Sequence, residues 1–188
     1  MTRIVAGRYG GRRLAAPAGR DTRPTSDRVR EALFSTLETL VDLAGARFAD
    51  LYAGSGAVGL EAASRGAAHV LLVESDRGAV RAARANIAVL EAGSGVILTT
   101  ARVAQALATG PPVDGPYDVV FADPPYAVPE AEIDALQDGL VRHGWLAPDA
   151  VVVVERSARS PELTWVPGIT ADRSRRYGET VLWYGRHS

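Results

Sequence analysis

Asp50-Leu-Tyr-Ala-Gly54-Ser-Gly-Ala-Val-Gly59 decides the fold, because it separates an apolar strand from a helical segment. The strand is expected at residues 48–52 and the helix at residues 58–65. From Arg47 onward, short apolar strands and helical stretches alternate along the chain. Such alternation predicts an α/β fold made of βαβ units, with a mostly parallel sheet of about seven strands and helices on both faces.

The segments beyond the junction continue the same pattern. Further strands are expected at 68–73, 96–99, 117–122 and 150–155, with helices at 77–90 and 130–141. Two late segments, 163–170 and 179–184, can close the sheet as a hairpin. Before the junction, a small β-hairpin and a helix capped by Ser26 or Asp27 form an extension. We therefore predict a hairpin and linking helix at residues 1–45 and the main domain at residues 46–188.

The glycine loop, residues 50–59, lies where open α/β sheets bind ligands. Gly54 and Gly56 permit a tight turn and close approach of a ligand, and Gly59 permits close packing of the helix on the strand. Glu74 ends the next strand, where its carboxylate can accept hydrogen bonds from both ribose hydroxyls of a nucleoside cofactor. The alternative is a tight turn that Glu74 only caps. Three neighbours complete the predicted cofactor contacts: Tyr52, Ser55 and Ser75.

Two classes of cofactor fit this loop. Its three glycines satisfy the dinucleotide fingerprint literally. Asp50 favours S-adenosyl-L-methionine instead, since its carboxylate would attract the ammonium group of that cofactor and repel a pyrophosphate. Because the glycines also fit a dinucleotide, a nicotinamide-dependent oxidoreductase remains the alternative to a methyltransferase.

A second loop, Asp123-Pro-Pro-Tyr126, follows the apolar strand at 117–122. Neither proline has an N–H group, so the Asp123 carboxylate and the Pro124 carbonyl can accept hydrogen bonds without a competing donor. Tyr126 offers a flat surface for stacking. We interpret the loop as a holder for a planar amine, although prolines that merely end a strand are the alternative. Its catalytic candidates are Asp123, Pro124, Pro125 and Tyr126.

The charge of the chain is unevenly distributed. Residues 1–30, the basic arm, combine eight arginines with two aspartates for a net charge of +6, whereas the whole chain carries −1. A cluster of this kind attracts a phosphate backbone, and a solvated tail is the alternative. The predicted RNA contacts are Arg3, Arg8, Arg12, Arg13, Arg23, Thr25, Arg28 and Arg30.

Composition argues against several other classes of protein. The 188 residues suffice for one domain, and 47% of them are hydrophobic, enough to fill a core. The chain has no cysteine and its three histidines are scattered, so we expect no disulfide and no metal site. No apolar run approaches the roughly 18 residues of a membrane span, and the N-terminus lacks a signal-peptide pattern. We expect a cytoplasmic protein that is a monomer.

Taken together, these motifs resemble class I S-adenosylmethionine-dependent methyltransferases that modify exocyclic amino groups. Within that superfamily, the chain is similar to the RsmD-type methylases of bacterial small-subunit ribosomal RNA. The similarity covers nearly the whole chain and also includes residues 3–7, 11–14 and 177–180. Its most specific segment is Arg23-Pro-Thr25-x-Asp27-Arg-Val-Arg30-Glu31.

This resemblance implies a Rossmann-like class I methyltransferase fold whose seven-stranded sheet has a reversed last strand. It also implies N2 methylation of one guanine in 16S rRNA, within an assembled or assembling 30S subunit, with S-adenosyl-L-homocysteine as product. One position departs from the family, which commonly has an acidic residue near the adenine amine of the cofactor where this chain has Arg102. The expected consequence is either backbone contact at Val103 or low cofactor affinity until RNA binds, and Arg102 and Val103 are the remaining predicted cofactor contacts. Asn86 also resembles a family position, but a helix-surface asparagine is the simpler interpretation.

Other activities remain as alternatives. An adenine-N6 methyltransferase acting on RNA or DNA would use the same loop, although residues 1–45 leave little room for reading a DNA sequence. Protein glutamine methylases typically begin the loop with asparagine, whereas position 123 is aspartate. A non-catalytic RNA-binding assembly factor would have no need of Asp123 and Glu74.

Overall fold

The computed structural model describes residues 2–18, 25–112 and 115–188. Two short strands, β1 (Thr2–Arg3) and β2 (Arg13–Leu14), form a hairpin that precedes helix α1 (Asp27–Leu40). The alternating region comprises β3 (Arg47–Leu51), α2 (Ala57–Ser64), β4 (His69–Glu74), α3 (Arg77–Leu90), β5 (Val96–Thr100), α4 (Val103–Thr109), β6 (Tyr117–Ala122) and α5 (Glu130–Arg142). Three strands complete the sheet: β7 (Leu146–Ser157), β8 (Ile169–Tyr177) and β9 (Thr180–His187).

The seven strands from β3 to β9 form one sheet in the order β5-β4-β3-β6-β7-β9-β8. The first five strands in this order are parallel to their neighbours. Strand β9 lies between β7 and β8 and is antiparallel to both. The predicted sheet, with its reversed last strand and closing hairpin, is therefore confirmed.

Helices cover both faces of the sheet, as its continuous apolar strands require. Apolar side chains of the hairpin and of α1, α2 and α3 form one core with one face of the sheet. Side chains of α4 and α5 form a second core on the opposite face. The first core joins the hairpin and α1 to the sheet, and the division of the chain at residue 45 stays a prediction.

The strand expected at 163–170 is wrong for most of its length, since β8 begins only at Ile169. Gln137 of α5 gives the physical reason. Its amide donates to the Thr164 carbonyl at 3.0 Å and accepts from the Val166 N–H at 3.2 Å. These bonds satisfy backbone groups that a strand would offer to a neighbouring strand.

The hairpin is fixed to α2 through Glu61, which has no exposed surface. The Glu61 carboxylate accepts from the N–H groups of Val5 at 2.9 Å and Ala6 at 3.0 Å. It also accepts from the guanidinium groups of Arg30 at 3.4 Å and Arg65 at 3.0 Å. We call Glu61, Arg30 and Arg65 the arm root, because Glu61 binds the arm directly and Arg65 binds Glu61.

Candidate active site

The carboxyl ends of four parallel strands, β4, β3, β6 and β7, meet side by side at one edge of the sheet. Open α/β sheets bind ligands at this edge, where the order of the strands reverses. That reversal occurs here between β3 and β6. The glycine loop follows β3 and the Asp123–Tyr126 loop follows β6, so the two predicted loops are neighbours.

The glycine loop turns the chain from β3 into α2 through positive φ angles. These angles are 62° at Tyr52, 58° at Gly54 and 83° at Gly56. A side chain on Gly59 would collide with Leu72 of β4, so this glycine permits the close packing of α2 on the sheet. A Cβ atom on Gly54 would meet no described atom within 4 Å. The loop is therefore open at Gly54, where a ligand can approach the backbone.

Glu74 is held in place by backbone N–H groups at the end of β4. Its Oε2 accepts from Gly54 at 2.8 Å, and its Oε1 accepts from Ser75 at 2.8 Å and Asp76 at 2.9 Å. An ionised carboxylate has about four acceptor positions, so at least one stays available to a ribose hydroxyl. The same three bonds fix the carboxylate beside the open part of the glycine loop.

Asp50 lies behind the glycine loop and is 1% exposed. Its Oδ2 accepts the N–H of Gly59 at 2.9 Å, in the first turn of α2. Burial raises the pKa of Asp50 to about 7, with Glu74 and Glu155 adding repulsion and the Gly59 hydrogen bond opposing the rise. The geometry favours a turn-forming contact over attraction of an ammonium group, so the choice of cofactor must rest on other observations.

The other predicted cofactor residues lie along the same edge. Ser75 is exposed and follows Glu74 directly. Arg102 is exposed at the cap of α4, and Val103 is buried as the first residue of that helix. Next to them, the Ala101 N–H donates to the Glu74 carbonyl at 3.1 Å, which fixes the backbone of this turn beside β4.

Asn86 is buried, so its interpretation as a helix-surface residue is wrong. Its side-chain amide donates to the carbonyls of Ser55 at 2.9 Å and Ala15 at 3.0 Å. Its Oδ1 accepts the Ala15 N–H at 2.7 Å. One side chain of α3 therefore connects the glycine loop to the basic arm.

The Asp123–Tyr126 loop changes from buried to exposed along its length. Asp123 is partly buried and Pro124 is buried, whereas Pro125 is exposed and Tyr126 is 51% exposed. The Pro125 carbonyl accepts the Val128 N–H at 3.1 Å, which closes a turn. Within residues 2–18, 25–112 and 115–188, no donor forms a hydrogen bond to the Asp123 carboxylate. Tyr126 thus lies at the surface, whereas Asp123 is partly buried.

Glu155 is a candidate that the sequence analysis missed. Strands β6 and β7 pair Ala122 with Val154, so the next residues are neighbours: Asp123 directly follows β6, and Glu155 lies within β7. Glu155 is 5% exposed and accepts a hydrogen bond from Thr25 Oγ1 at 3.1 Å. The signal was present in the sequence, since Glu155 ends an apolar strand just as Glu74 does. We call Asp123 and Glu155 the carboxylate pair.

Burial raises the pKa of both members of the carboxylate pair. Loss of hydration is the largest cause at Asp123, and repulsion from Glu155 and Asp50 outweighs the opposing attraction of Arg156. Burial also raises the pKa of Glu155 to about 7, with the Thr25 hydrogen bond acting in the opposite direction. Two acidic groups with few donors around them are suited to a ligand that is rich in N–H groups.

The model of the family described as "Conserved hypothetical protein 95" matches residues 2–186. The chain belongs to this family. It is 39% identical over 155 residues to Ribosomal RNA small subunit methyltransferase D of Escherichia coli K12, spanning 81% of this chain and 73% of that protein. It is 33% identical over 180 residues to "Putative rRNA methyltransferase YlbH" of Bacillus subtilis, spanning 95% of each. The predicted resemblance to RsmD-type methylases is confirmed.

A solved structure of similar sequence has the same fold as this chain. "Putative methyltransferase yhhF from Escherichia coli" superposes with a TM-score of 0.86 at 31% identity, covering 99% of this chain and 97% of that one. The class I methyltransferase fold expected of an RsmD-type chain is therefore confirmed.

Most predicted RNA contacts of this RsmD-type chain lie at the surface. Exposed arginines of the arm are Arg3, Arg8, Arg12, Arg13 and Arg28. Arg23 lies outside the described residues, and Thr25 turns its hydroxyl toward Glu155. Contact of the exposed arginines with RNA stays a prediction.

Arg30 requires a correction, because it has no exposed surface. Besides Glu61, it donates to Asp27 Oδ1 at 2.9 Å, to the Thr25 carbonyl at 3.3 Å and to the Arg3 carbonyl. Its guanidinium is occupied by the protein and cannot reach RNA in this fold. Arg30 holds the arm in place and is removed from the predicted RNA contacts.

Of the helices in the described ranges, none is long and apolar enough to cross a membrane. Across those same ranges, no group of three or more His, Cys, Asp or Glu side chains is arranged to hold a metal ion.

Proposed function

We propose that this protein methylates the exocyclic N2 amine of a guanine in 16S rRNA, using S-adenosyl-L-methionine. The observation that carries the proposal is the side-by-side placement of the glycine loop and the Asp123–Tyr126 loop. The name of the Escherichia coli relative, Ribosomal RNA small subunit methyltransferase D, supports an rRNA substrate. An assembled or assembling 30S subunit is the form of the substrate that we propose.

The residues around the glycine loop fit a nucleoside cofactor. The backbone is open at Gly54, and Glu74 keeps acceptor capacity for ribose hydroxyls beside it. Ser75 and Val103 lie next along the edge, where an adenine would follow the ribose. When bound, S-adenosyl-L-methionine supplies an electrophilic methyl group: N2 bonds to its carbon as the C–S bond breaks, the electron pair passes to sulfur, and N2 then loses a proton.

The amine loop has to make a poor nucleophile reactive. The lone pair of an exocyclic amine is delocalised into the purine ring, so it does not point at an incoming methyl group. We infer that Asp123 and the Pro124 carbonyl accept the two N–H bonds of the amine and turn its lone pair out of the ring plane. The exposed ring of Tyr126 can stack on the base.

Asp123 is also placed to receive the proton that N2 loses. Burial raises the pKa of Asp123 above its ordinary range, which makes the carboxylate a stronger base. The carboxylate would therefore orient the amine first and accept its proton after transfer.

The target guanine has to leave any helical stack to reach this loop. A splayed or single-stranded nucleotide can insert its base beside Tyr126, while exposed arginines of the arm bind the flanking phosphates. This arrangement uses the arm for affinity and the loop for chemistry.

Methyl transfer to defined substrates tests the proposal. Small subunits from a strain lacking this protein, naked 16S rRNA and DNA would each receive labelled S-adenosyl-L-methionine, followed by nucleoside analysis. We expect N2-methylguanosine in RNA. N6-methyladenosine would show an adenine methyltransferase instead, and binding of NADH in place of S-adenosyl-L-methionine would support an oxidoreductase.

A further inference from the structure

Glu155 has no part in the chemistry described above, yet it lies beside the carboxylate that holds the amine. We propose that Glu155 accepts the N1–H of the target guanine and so makes the site select guanine over adenine. This inference rests on the proposed function, because it concerns the base that enters the same loop. It assigns a specificity-determining contact to a side chain whose only described hydrogen-bond partner is Thr25.

The geometry gives Glu155 access to the same ligand as Asp123. The two residues follow the paired residues Ala122 and Val154, and neighbouring strands are roughly 4.8 Å apart. Side chains alternate along strands, so Glu155 lies on the face of β7 that also carries Val153. Asp123 is the first residue after β6, and burial together with repulsion from Glu155 raises the pKa of its carboxyl. A base whose edge is hydrogen-bonded to one carboxylate of the pair is therefore within reach of the other.

The chemistry of the bases then discriminates. Guanine presents the N1–H and the N2 amine side by side, which gives each carboxylate of the pair a donor. Adenine presents its amine beside an N1 lone pair, so the ionised Glu155 carboxylate would face an acceptor with an acceptor and remain desolvated without a partner. A site built to bind a hydrogen-bond donor strongly rejects an analogue that lacks the donor. An apolar pocket rejects an analogue of slightly different size much less strongly.

Thr25 orients this contact. Its hydroxyl donates to Glu155 Oε2, which restrains the carboxylate on the side of the arm. Thr25 belongs to the segment that most specifically marks the RsmD-type resemblance. The contact therefore connects that segment to the reading of the base.

The test uses RNA in which the modified guanine is replaced by 2-aminopurine, which keeps the 2-amine but carries an acceptor at N1. The RNA is supplied in whichever form, naked or assembled, the wild-type protein methylates. We expect wild-type kcat/KM to be roughly 10- to 100-fold higher for guanine than for 2-aminopurine, the range for losing a hydrogen bond to a charged group. Glu155→Gln, whose amide can donate to N1, should lose guanine activity and gain 2-aminopurine activity.

Controls separate specificity from stability. Glu162→Gln changes an exposed glutamate and should keep the wild-type preference. Thr25→Val should weaken the preference without reversing it. Equal kcat/KM of the wild-type protein for the two bases would overturn the inference whatever the variants do, as would an equal loss for both bases in a folded Glu155→Gln. Failure of the proposed function is distinguishable, because wild-type protein would then form no N2-methylguanosine at all.

Discussion

Two sets of buried carboxylates in this molecule differ in the groups that surround them. At the arm root, Glu61 accepts four hydrogen bonds, two of them from arginine side chains. At the carboxyl edge of the sheet, described residues give the carboxylate pair one hydrogen bond, from Thr25. Burial with a full set of donors builds the fold, whereas burial without them leaves acceptors for a ligand. The difference separates two roles that the residue type alone cannot separate.

The largest effect is expected at the carboxylate pair. Asp123→Ala should lower kcat for methyl transfer by roughly 10²- to 10⁴-fold, since a positioned acceptor and base is removed. Affinity for S-adenosyl-L-methionine should stay within a factor of about two, because Asp123 is assigned to the amine. Single-turnover methyl transfer and calorimetric titration of the cofactor measure the two quantities.

Asp134→Ala, which removes an exposed carboxylate of α5, is the matched control for Asp123→Ala and should behave as wild type. Loss of cofactor binding in Asp123→Ala would contradict the assignment of this residue to the amine.

Substitution at the arm root should lower the stability of the protein without removing a group assigned to methyl transfer. Glu61→Ala removes the fully buried carboxylate partner of the Arg30 guanidinium, which among the described residues keeps only the partly exposed Asp27, and should cost about 3–5 kcal/mol of unfolding free energy. Urea denaturation measures this loss. Glu38→Ala is the control, because Glu38 pairs with Arg65 at 3.1 Å but is exposed, and should cost at most about 1 kcal/mol. Similar small losses in both variants would remove the distinction between the two regions.

The pH dependence of stability should single out the carboxyl edge. A carboxyl whose pKa is raised by folding keeps its proton in the folded state at a pH where the unfolded state has already released it. The resulting contribution of Glu155 to the unfolding free energy is complete below pH 4.5 and is lost as pH rises through about 7. The unfolding free energy of Glu155→Gln should therefore fall by about 1–3 kcal/mol less than that of the wild-type protein between pH 4.5 and pH 8. Urea denaturation across this range measures the difference. Parallel curves of unfolding free energy against pH for the two proteins would show that folding does not raise the pKa of Glu155.

The smallest expected effect concerns arginines at the surface, in contrast to the buried Arg30. Replacing Arg12, Arg13 and Arg23 by alanine should lower the slope of log K against log salt for RNA binding by roughly 2, because each phosphate that is no longer neutralised lowers it by about 0.7. Binding measured between 50 and 200 mM salt tests this. Arg142→Ala, an exposed change on the opposite face of the sheet, should leave the slope unchanged. An unchanged slope in the triple variant would refute the arm as an RNA grip.

Local patterns were enough to predict the sheet and the positions of the two loops that follow β3 and β6. The alternation of strands and helices, the spacing of the glycines and the prolines after β6 all act over a few residues, so they can be read from the sequence. The bounds of β6 and α3 agree with the structure at both ends. The strand at 163–170 failed because Gln137, about thirty residues earlier, satisfies its backbone.

The environments of single polar residues depend on distant partners and could not be predicted in this way. Arg30 bonds to Glu61 across 31 residues, Asn86 to Ala15 across 71, and Glu155 to Thr25 across 130. Each of these side chains belongs to a type that is usually exposed, so a surface position is the natural first interpretation. Their buried positions arise only when the fold brings the arm onto the sheet.

The insertion of β9 between β7 and β8 has a consequence for folding during synthesis. Until residues 180–187 are available, β7 has only β6 as a partner, and its other edge is open along four consecutive valines, Val151–Val154. An apolar, unpaired strand edge is a template for association with other chains. The nascent protein therefore passes through an aggregation-prone stage that ends when its last strand pairs, and slow synthesis or truncation before β9 should increase its demand for chaperones.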